Sequence, residues 1–299
     1  MHVPAPKKRT TATKTTPVKR KPAVRKKKKS QSKYQFLKWY ITVLALAILF
    51  SPFYYGYVFK MFSSTWRWFE DIGTPASGRI YKSFGIAIPE GYSIHGIDVS
   101  YAQGKIDWQK VVSMKEDSVN VRFAFIKATE GLLTVDPYFK RNWREAAKVG
   151  IRCGAYHFFR PKKNGLWQAR FFLQNVQVEA GDLPPVVDIE RLDGKTPEAM
   201  RKELKDYVLF IESKTGVQPI IYTGISFYND YLRGHFDEYP LWIAHYNQPK
   251  LKVRANANWR FWQHSETGHI NGIGHTVDFD VFRGDSLSLQ KMLVVKEND

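Results

Sequence analysis

The chain has 299 residues, with 46 Lys and Arg against 28 Asp and Glu for a net charge of +18. Hydrophobic residues make up 43% and aromatic ones 15%, which excludes a wholly disordered protein, and the lone Cys153 excludes an internal disulfide framework or a multi-cysteine zinc site. Fourteen of the cations fall within residues 1–38, which hold no acid, so the rest of the chain carries only +4; that uneven split points away from a specific nucleic-acid partner.

Residues 1–38 are rich in Lys, Thr, Pro and Ala and poor in large apolar side chains, the composition of a disordered basic tail. Residues 39–59 follow without one charge. At about 1.5 Å per residue such a segment extends roughly 31 Å, enough to cross a hydrocarbon core of about 30 Å. Trp39 and Tyr40 stand at one end and Tyr54, Tyr55 and Tyr57 at the other, as interfacial rings would. The run is too long, and too ring-rich behind, for a cleaved signal peptide. The expectation is a single-pass transmembrane helix with its cationic N-terminus in the cytoplasm and the rest of the chain on the far side, periplasmic or facing a cell wall. The tail can also touch acidic headgroups. Residues 60–91, with Gly73, Pro75 and Gly78, read as a membrane-proximal piece and linker.

From residue 92 to 299 short apolar runs alternate with amphipathic stretches. The runs are Ile94–Val99, Val121–Ala128, Gly154–Phe159, Pro185–Ile189, Pro219–Tyr222, Leu241–Ala244, Phe261–His264 and Val277–Val281. Asp107 can cap a helix through Lys115, Asp136-Pro137 opens one that ends at Gly150, and Thr196-Pro197 opens one that ends at Gly216. Beyond Tyr222 helical periodicity fades. This rhythm predicts an α/β fold, a TIM-like (β/α) barrel with fewer helices in its last third; an open doubly wound sheet is the rival, disfavoured because no glycine-rich phosphate loop follows a strand.

The acids fall where those runs end: Asp98 on the first, Glu130 after the second, Asp188 and Glu190 on the fourth, Asp278 on the eighth. In a parallel barrel all strand C-termini share one face, so these carboxylates should line one cup. Asp188 and Glu190, two apart, leave a strand on the same side. Crowding two like charges raises one pKa and makes the protonated acid that glycosidic cleavage needs, a role assigned to Glu190, with Asp188, Asp98 and Asp278 supplying charge and orientation. Tyr156, Tyr222, Trp242, Tyr246, Gln263 and Glu130 are expected to bind the sugar through ring faces and hydrogen-bonding groups. Trp262 reads as core, His157, His245 and His264 as supporting residues without metal-ligand spacing, and Cys153 as a buried inert thiol. Neither a metal nor an organic cofactor is expected.

In order along the chain, GIDVSYAQGKIDW, FIKATEG followed by Asp136, GAYHFF, LPPVVDIE, PIIYT, PLWIAHY and GIGHTVDFDVF resemble glycoside hydrolase family 25, the lysozymes that cut peptidoglycan as N-acetylmuramidases. The resemblance covers about residues 93–285. It implies a barrel with reduced helices late in the chain, and hydrolysis of the β-1,4 bond between N-acetylmuramic acid and N-acetylglucosamine. It maps the family's acid onto Glu190, its companion onto Asp188, and the first- and last-strand aspartates onto Asp98 and Asp278. Leu132, Leu133 and Thr134 depart from the family's usual large apolar residue near position 134, which touches a loop and not the chemistry. Two routes stay open: a carboxylate acting directly as nucleophile or base, or attack by the substrate's own 2-acetamido group steadied by Asp188, the latter favoured by the Asp-x-Glu spacing. The alternative function is a non-catalytic, membrane-tethered peptidoglycan-binding scaffold.

Overall fold

Each short run of β-branched and aromatic residues between helices can be buried only if it is covered on both faces, and the chain does this by rolling its strands into a closed ring. The computed structural model describes residues 37–43 and 78–295. The basic tail, the apolar stretch beyond residue 43 and most of the linker lie outside the described residues. Residues 37–43 are helical, and no helix among the described residues is long and apolar enough to cross a membrane.

Residues 79–88 were expected in the linker. Instead β1 (Arg79–Tyr81) and β2 (Ile86–Ile88) pair as an antiparallel hairpin whose Phe84, Ile86 and Ile88 are buried in the main core, so the folded part reaches back to at least Arg79. The alternation of Ile86, Ala87 and Ile88 buries every second residue, as a half-covered strand does.

The barrel contains β3 (His95–Val99), β4 (Val121–Glu130), β6 (Arg152–Phe158), β7 (Val186–Asp188), β8 (Ile220–Gly224), β9 (Leu241–Ala244), β10 (Trp259–Gly268) and β11 (Val277–Phe282). Around the ring the order is β3-β11-β10-β9-β8-β7-β6-β4, closed by a β3–β4 pairing, and a two-residue β5 (Thr134–Val135) folds back on the end of β4. All eight expected runs are strands of one closed sheet, which removes the open-sheet rival.

Strand direction departs from expectation at one place. Seven strands run parallel, but β11 is antiparallel to both neighbours, β10 and β3. The physical reason is the short link between β10 and β11, which holds no crossover helix to carry the chain back for a parallel start. Asp278 is therefore near the N-terminal end of its strand, and only because that strand is reversed does it stand at the same rim as the C-termini of the others.

Helices α1 (Trp108–Ser113), α2 (Phe139–Lys148), α3 (Gly165–Asn175) and α4 (Pro197–Thr215) cover the first half of the ring. The Thr196 hydroxyl caps α4 by accepting from Ala199 N, Pro197 fills its first turn, and Gly216 ends it at φ 70°. Asp107 caps α1, which stops at Ser113. Asp136 does not cap α2 directly; it accepts from Tyr138 N at 2.9 Å and Tyr101 N at 2.7 Å, tying the turn before α2 to the loop after β3. After β8 only short turns, Ile225–Phe227 and Tyr228–Leu232, precede the terminal α5 (Ser286–Met292), in line with the fading periodicity.

Inside the ring, Phe123, Phe125, Trp242, Phe261 and Phe282 form the floor, with Phe125 stacked on Trp242 at 4.3 Å and edge-on to Phe261 at 5.0 Å. Two of these rings need a glycine across the sheet. Gly96 is opposite Phe123 and Gly154 opposite Phe125, and a Cβ there would stand 2.3 and 2.6 Å from the ring atoms. Leu289 of α5 closes the end of the ring away from the cup.

Candidate active site

At the open rim a cavity of about 230 Å³ is lined by Asp98, Ser100, Tyr101, Lys127, Tyr156, Phe158, Asp188, Glu190, Tyr222, Trp242, Gln263 and Asp278. Four of the five carboxylates singled out from the sequence, Asp98, Asp188, Glu190 and Asp278, are here, with Tyr156, Tyr222, Trp242 and Gln263. Trp242 is part of the floor, since Phe125 covers one face and Tyr222 lies 4.4 Å from its ring centre. Tyr246 does not line the cavity but acts just behind it.

Gln263 organises the far wall. Its carbonyl accepts from the Tyr222 hydroxyl at 2.8 Å and the Tyr246 hydroxyl at 2.7 Å, and its amide N–H donates to Asp98. With the amide carbonyl taken by two O–H donors, its NH₂ group can point only at the carboxylate. The orientation of Asp98 is thus set by a residue 165 positions away in sequence.

Asp98 is directly opposite Asp278 in the antiparallel pairing of β3 and β11, with Asp280 diagonal to it on the same face. Burial first, then the charges of Asp278 and Asp280, pushes the Asp98 carboxyl well above the usual carboxylate range, against the bond from Gln263. Asp278 is pushed up to about 6 by burial and by Glu266. Asp280 was missed in the sequence, although the period-two argument applied to Asp188 and Glu190 applies equally to Asp278 and Asp280 in VDFDVF.

Asp188 and Glu190 form the near wall. Asp188, the last residue of β7, is buried, and its Oδ1 has no hydrogen-bond partner among the described residues. Glu190 stands two residues past the strand end, exposed at the rim. Backbone pairing continues that far, since Ile189 N donates to Tyr222 O at 3.0 Å, which keeps both side chains on the cup side. Burial and then the Glu190 charge raise Asp188 well above its usual range, while Lys127 opposes them. Desolvation by the surrounding walls raises Glu190 too, against Arg191, the Tyr222 hydroxyl and Lys127. Both carboxyls are thus pushed towards the protonated form in the empty cup.

Glu130 lies outside the cavity lining. It pairs with Lys127 at 2.8 Å and Arg160 at 2.6 Å, and these bonds outweigh burial to hold its carboxyl below the usual range. Its contribution is to hold Lys127, whose ammonium lies 4.9 Å from the Phe158 ring centre beside the Asp188–Glu190 pair. Lys127, Phe158, Ser100 and Tyr101 are cavity residues that the sequence reading did not assign. Tyr101, 61% exposed on the rim, is an accessible ring.

His157 sits behind the wall between Thr129 Oγ1 at 2.7 Å and Gln168 Oε1 at 3.2 Å, and burial lowers it to about 4. Burial likewise pushes the Cys153 thiol up to about 12, which leaves it unreactive.

A mainly parallel eight-stranded barrel whose rim gathers paired carboxylates and tyrosines suits a glycoside hydrolase. Residues 97–273 match the profile described as glycosyl hydrolases family 25. Among relatives, the protein YegX of Escherichia coli K12 is 48% identical over 212 residues, covering 71% of this chain and 78% of its own. Lysozyme M1 of Streptomyces globisporus is 35% identical over 249 residues, covering 74% and 82%. The solved structure of a family 25 glycosyl hydrolase from Bacillus anthracis superposes with a TM-score of 0.64 at 33% identity, covering 72% of this chain and 99% of that one. The chain belongs to glycosyl hydrolases family 25.

Proposed function

We propose that this enzyme is a membrane-tethered lysozyme that cuts the β-1,4 bond between N-acetylmuramic acid and N-acetylglucosamine in peptidoglycan. The carrying observation is the Asp188–Glu190 pair, one carboxyl buried and one at the rim, in a cup lined by rings and hydroxyls. Similarity to a protein named lysozyme M1 supports the same substrate class.

Glu190 gives its proton to the glycosidic oxygen as the C1–O bond breaks. The substrate's acetamido oxygen forms the new bond to C1, and Asp188 accepts from the acetamido N–H. That bond favours the charged form of Asp188, while Glu190 carries the proton as the acid. Water then attacks C1 and opens the acetamido ring, Glu190 takes the water's proton, and the anomeric configuration is retained. Asp98 and Asp278 orient the sugar from the opposite wall.

Residues 39–59 anchor the chain, the basic tail of residues 1–38 stays in the cytoplasm, and the barrel faces the wall; the lopsided charge supports this orientation. Full-length protein in detergent, incubated with purified peptidoglycan, is expected to release fragments with muramic acid reducing ends by mass spectrometry. Glu190→Gln is expected to lose about 10²- to 10⁴-fold in rate with binding retained. Intact glycan after prolonged incubation would sink the proposal and favour the scaffold reading. Protease treatment of cells stripped of any outer membrane should cut the barrel from the anchor and spare the tail.

A further inference from the structure

Tyr101, on the loop after β3, lines the cup but takes part in no step of the cleavage described above. Two rings of the barrel are largely exposed among the described residues, Tyr101 and Trp167. The Arg170 guanidinium lies 4.8 Å over the Trp167 ring. No ring packs on Tyr101 among the described residues, and the Lys127 ammonium is 5.9 Å from its centre. Neither apolar core cluster includes it. Its backbone, by contrast, is held firmly. Tyr101 N donates to Asp136 Oδ2 at 2.7 Å, and the other oxygen of this buried carboxyl accepts from Tyr138 N at 2.9 Å. The Gln103 carbonyl accepts from Ser100 N at 2.9 Å, and its amide donates to Thr276 O at 3.0 Å, which ties the turn to the segment before β11. The chain on both sides of the ring is thus fixed while the ring itself stays bare.

We propose that Tyr101 is the platform of a second saccharide subsite, stacking on a sugar that adjoins the one among the carboxylates, with Asp136 and Gln103 as the positioning residues that hold it. The subsite rests on the reading of the substrate as a peptidoglycan strand. At about 230 Å³ the cavity is smaller than the roughly 300–1,000 Å³ usual for a drug-sized ligand, so a glycan strand crossing it must rest further sugars on the rim. An aromatic face packs well on the C–H face of a pyranose, and a tyrosine ring has only two torsions to immobilise. Fixing the turn in advance removes most of the remaining ordering cost. Asp136, which stands out in the sequence after FIKATEG, thereby has a role at the site although it lies outside the cavity lining.

Calorimetry on full-length protein in detergent tests this, with a tetrasaccharide freed from purified peptidoglycan as the probe and Glu190→Gln as the background that keeps it whole. Tyr101→Ala should weaken binding about tenfold, and Tyr101→Phe, which keeps the ring face, should stay within about twofold. With Glu190 intact, Tyr101→Ala should raise KM about tenfold and move kcat less than about threefold, a split that a merely structural loss would not produce. Asp136→Asn turns an NH₂ group towards one of the two N–H donors, and Gln103→Ala cuts the tie to Thr276 from a half-buried position. Each should weaken the tetrasaccharide about threefold or more, and neither should weaken it further once Tyr101 is replaced by Ala. Should Asp136→Asn fail to fold, Gln103→Ala decides that arm. An Ala effect below about twofold, or Phe as damaging as Ala, would overturn the platform. Losses that persist in full without the ring would overturn the positioning role. If wild-type enzyme leaves peptidoglycan intact while tetrasaccharide binding depends on Tyr101, the muramidase reading fails and the subsite stands; no tetrasaccharide binding at all overturns the subsite.

Discussion

Replacing Asp278 by Asn should stabilise the barrel, and by an amount that depends on pH. Folding raises the Asp278 carboxyl from its ordinary 3.8 to about 6, through burial and the charge of Glu266. Because the native state binds this proton more tightly, stability is full below about pH 4 and falls as pH rises towards 6, after which the penalty is constant. A tenfold change in proton affinity is worth about 1.4 kcal/mol, so the rise from 3.8 to about 6 sets a ceiling near 3 kcal/mol. Partial exposure and the proton shared with Asp98 reduce this to about 1.5 kcal/mol. The Asn amide also gives Asp98 a donor where it now faces a carboxyl. For a domain of this size the gain corresponds to about 3 to 6 °C in Tm. Thermal unfolding of full-length protein in detergent, followed by near-ultraviolet circular dichroism, should show that gain at pH 8 and little difference at pH 4. A variant no more stable at pH 8, or one shifted equally at both pH values, would refute the account.

Gly165→Ala should destabilise without touching the cup, because the new Cβ would stand 1.8 Å from the Glu203 carbonyl oxygen and force α3 from α4. A loss of about 1–3 kcal/mol in denaturant unfolding is expected. Gln263→Leu removes two tyrosine bonds and the one to Asp98, and should lose about 3 kcal/mol in the same measurement; a loss below about 1 kcal/mol would mean that the wall holds its shape without the amide.

Much of this architecture was legible because its signals are local. Every barrel strand is a short apolar run, and α4 carries its cap, first-turn proline and terminal glycine in plain view. Strand direction is not local, since Val277–Phe282 has the same alternation whichever way it runs, so Asp278 was assigned to the rim on a parallel premise that β11 does not obey. The hairpin at Arg79–Ile88 was lost among the glycines and prolines of an apparent linker. Glu130 looked like a sugar ligand because it follows a strand, but its neighbours Lys127 and Arg160, supplied by the fold, bind it first. Lys127 and Phe158 escaped notice because a lysine or phenylalanine near a strand end is common, and only closure of the ring brings their side chains together.

The reversed last strand also has a consequence for biogenesis. It is the stave that joins β10 to β3, so the ring stays open until the end of the domain has left the ribosome. Asp98 meets Asp278 only at that moment, and contacts so distant along the chain form late and slowly. A chain still being synthesised therefore holds Asp188 and Glu190 without their opposite wall. The carboxylate cup is complete only once the whole barrel has been made.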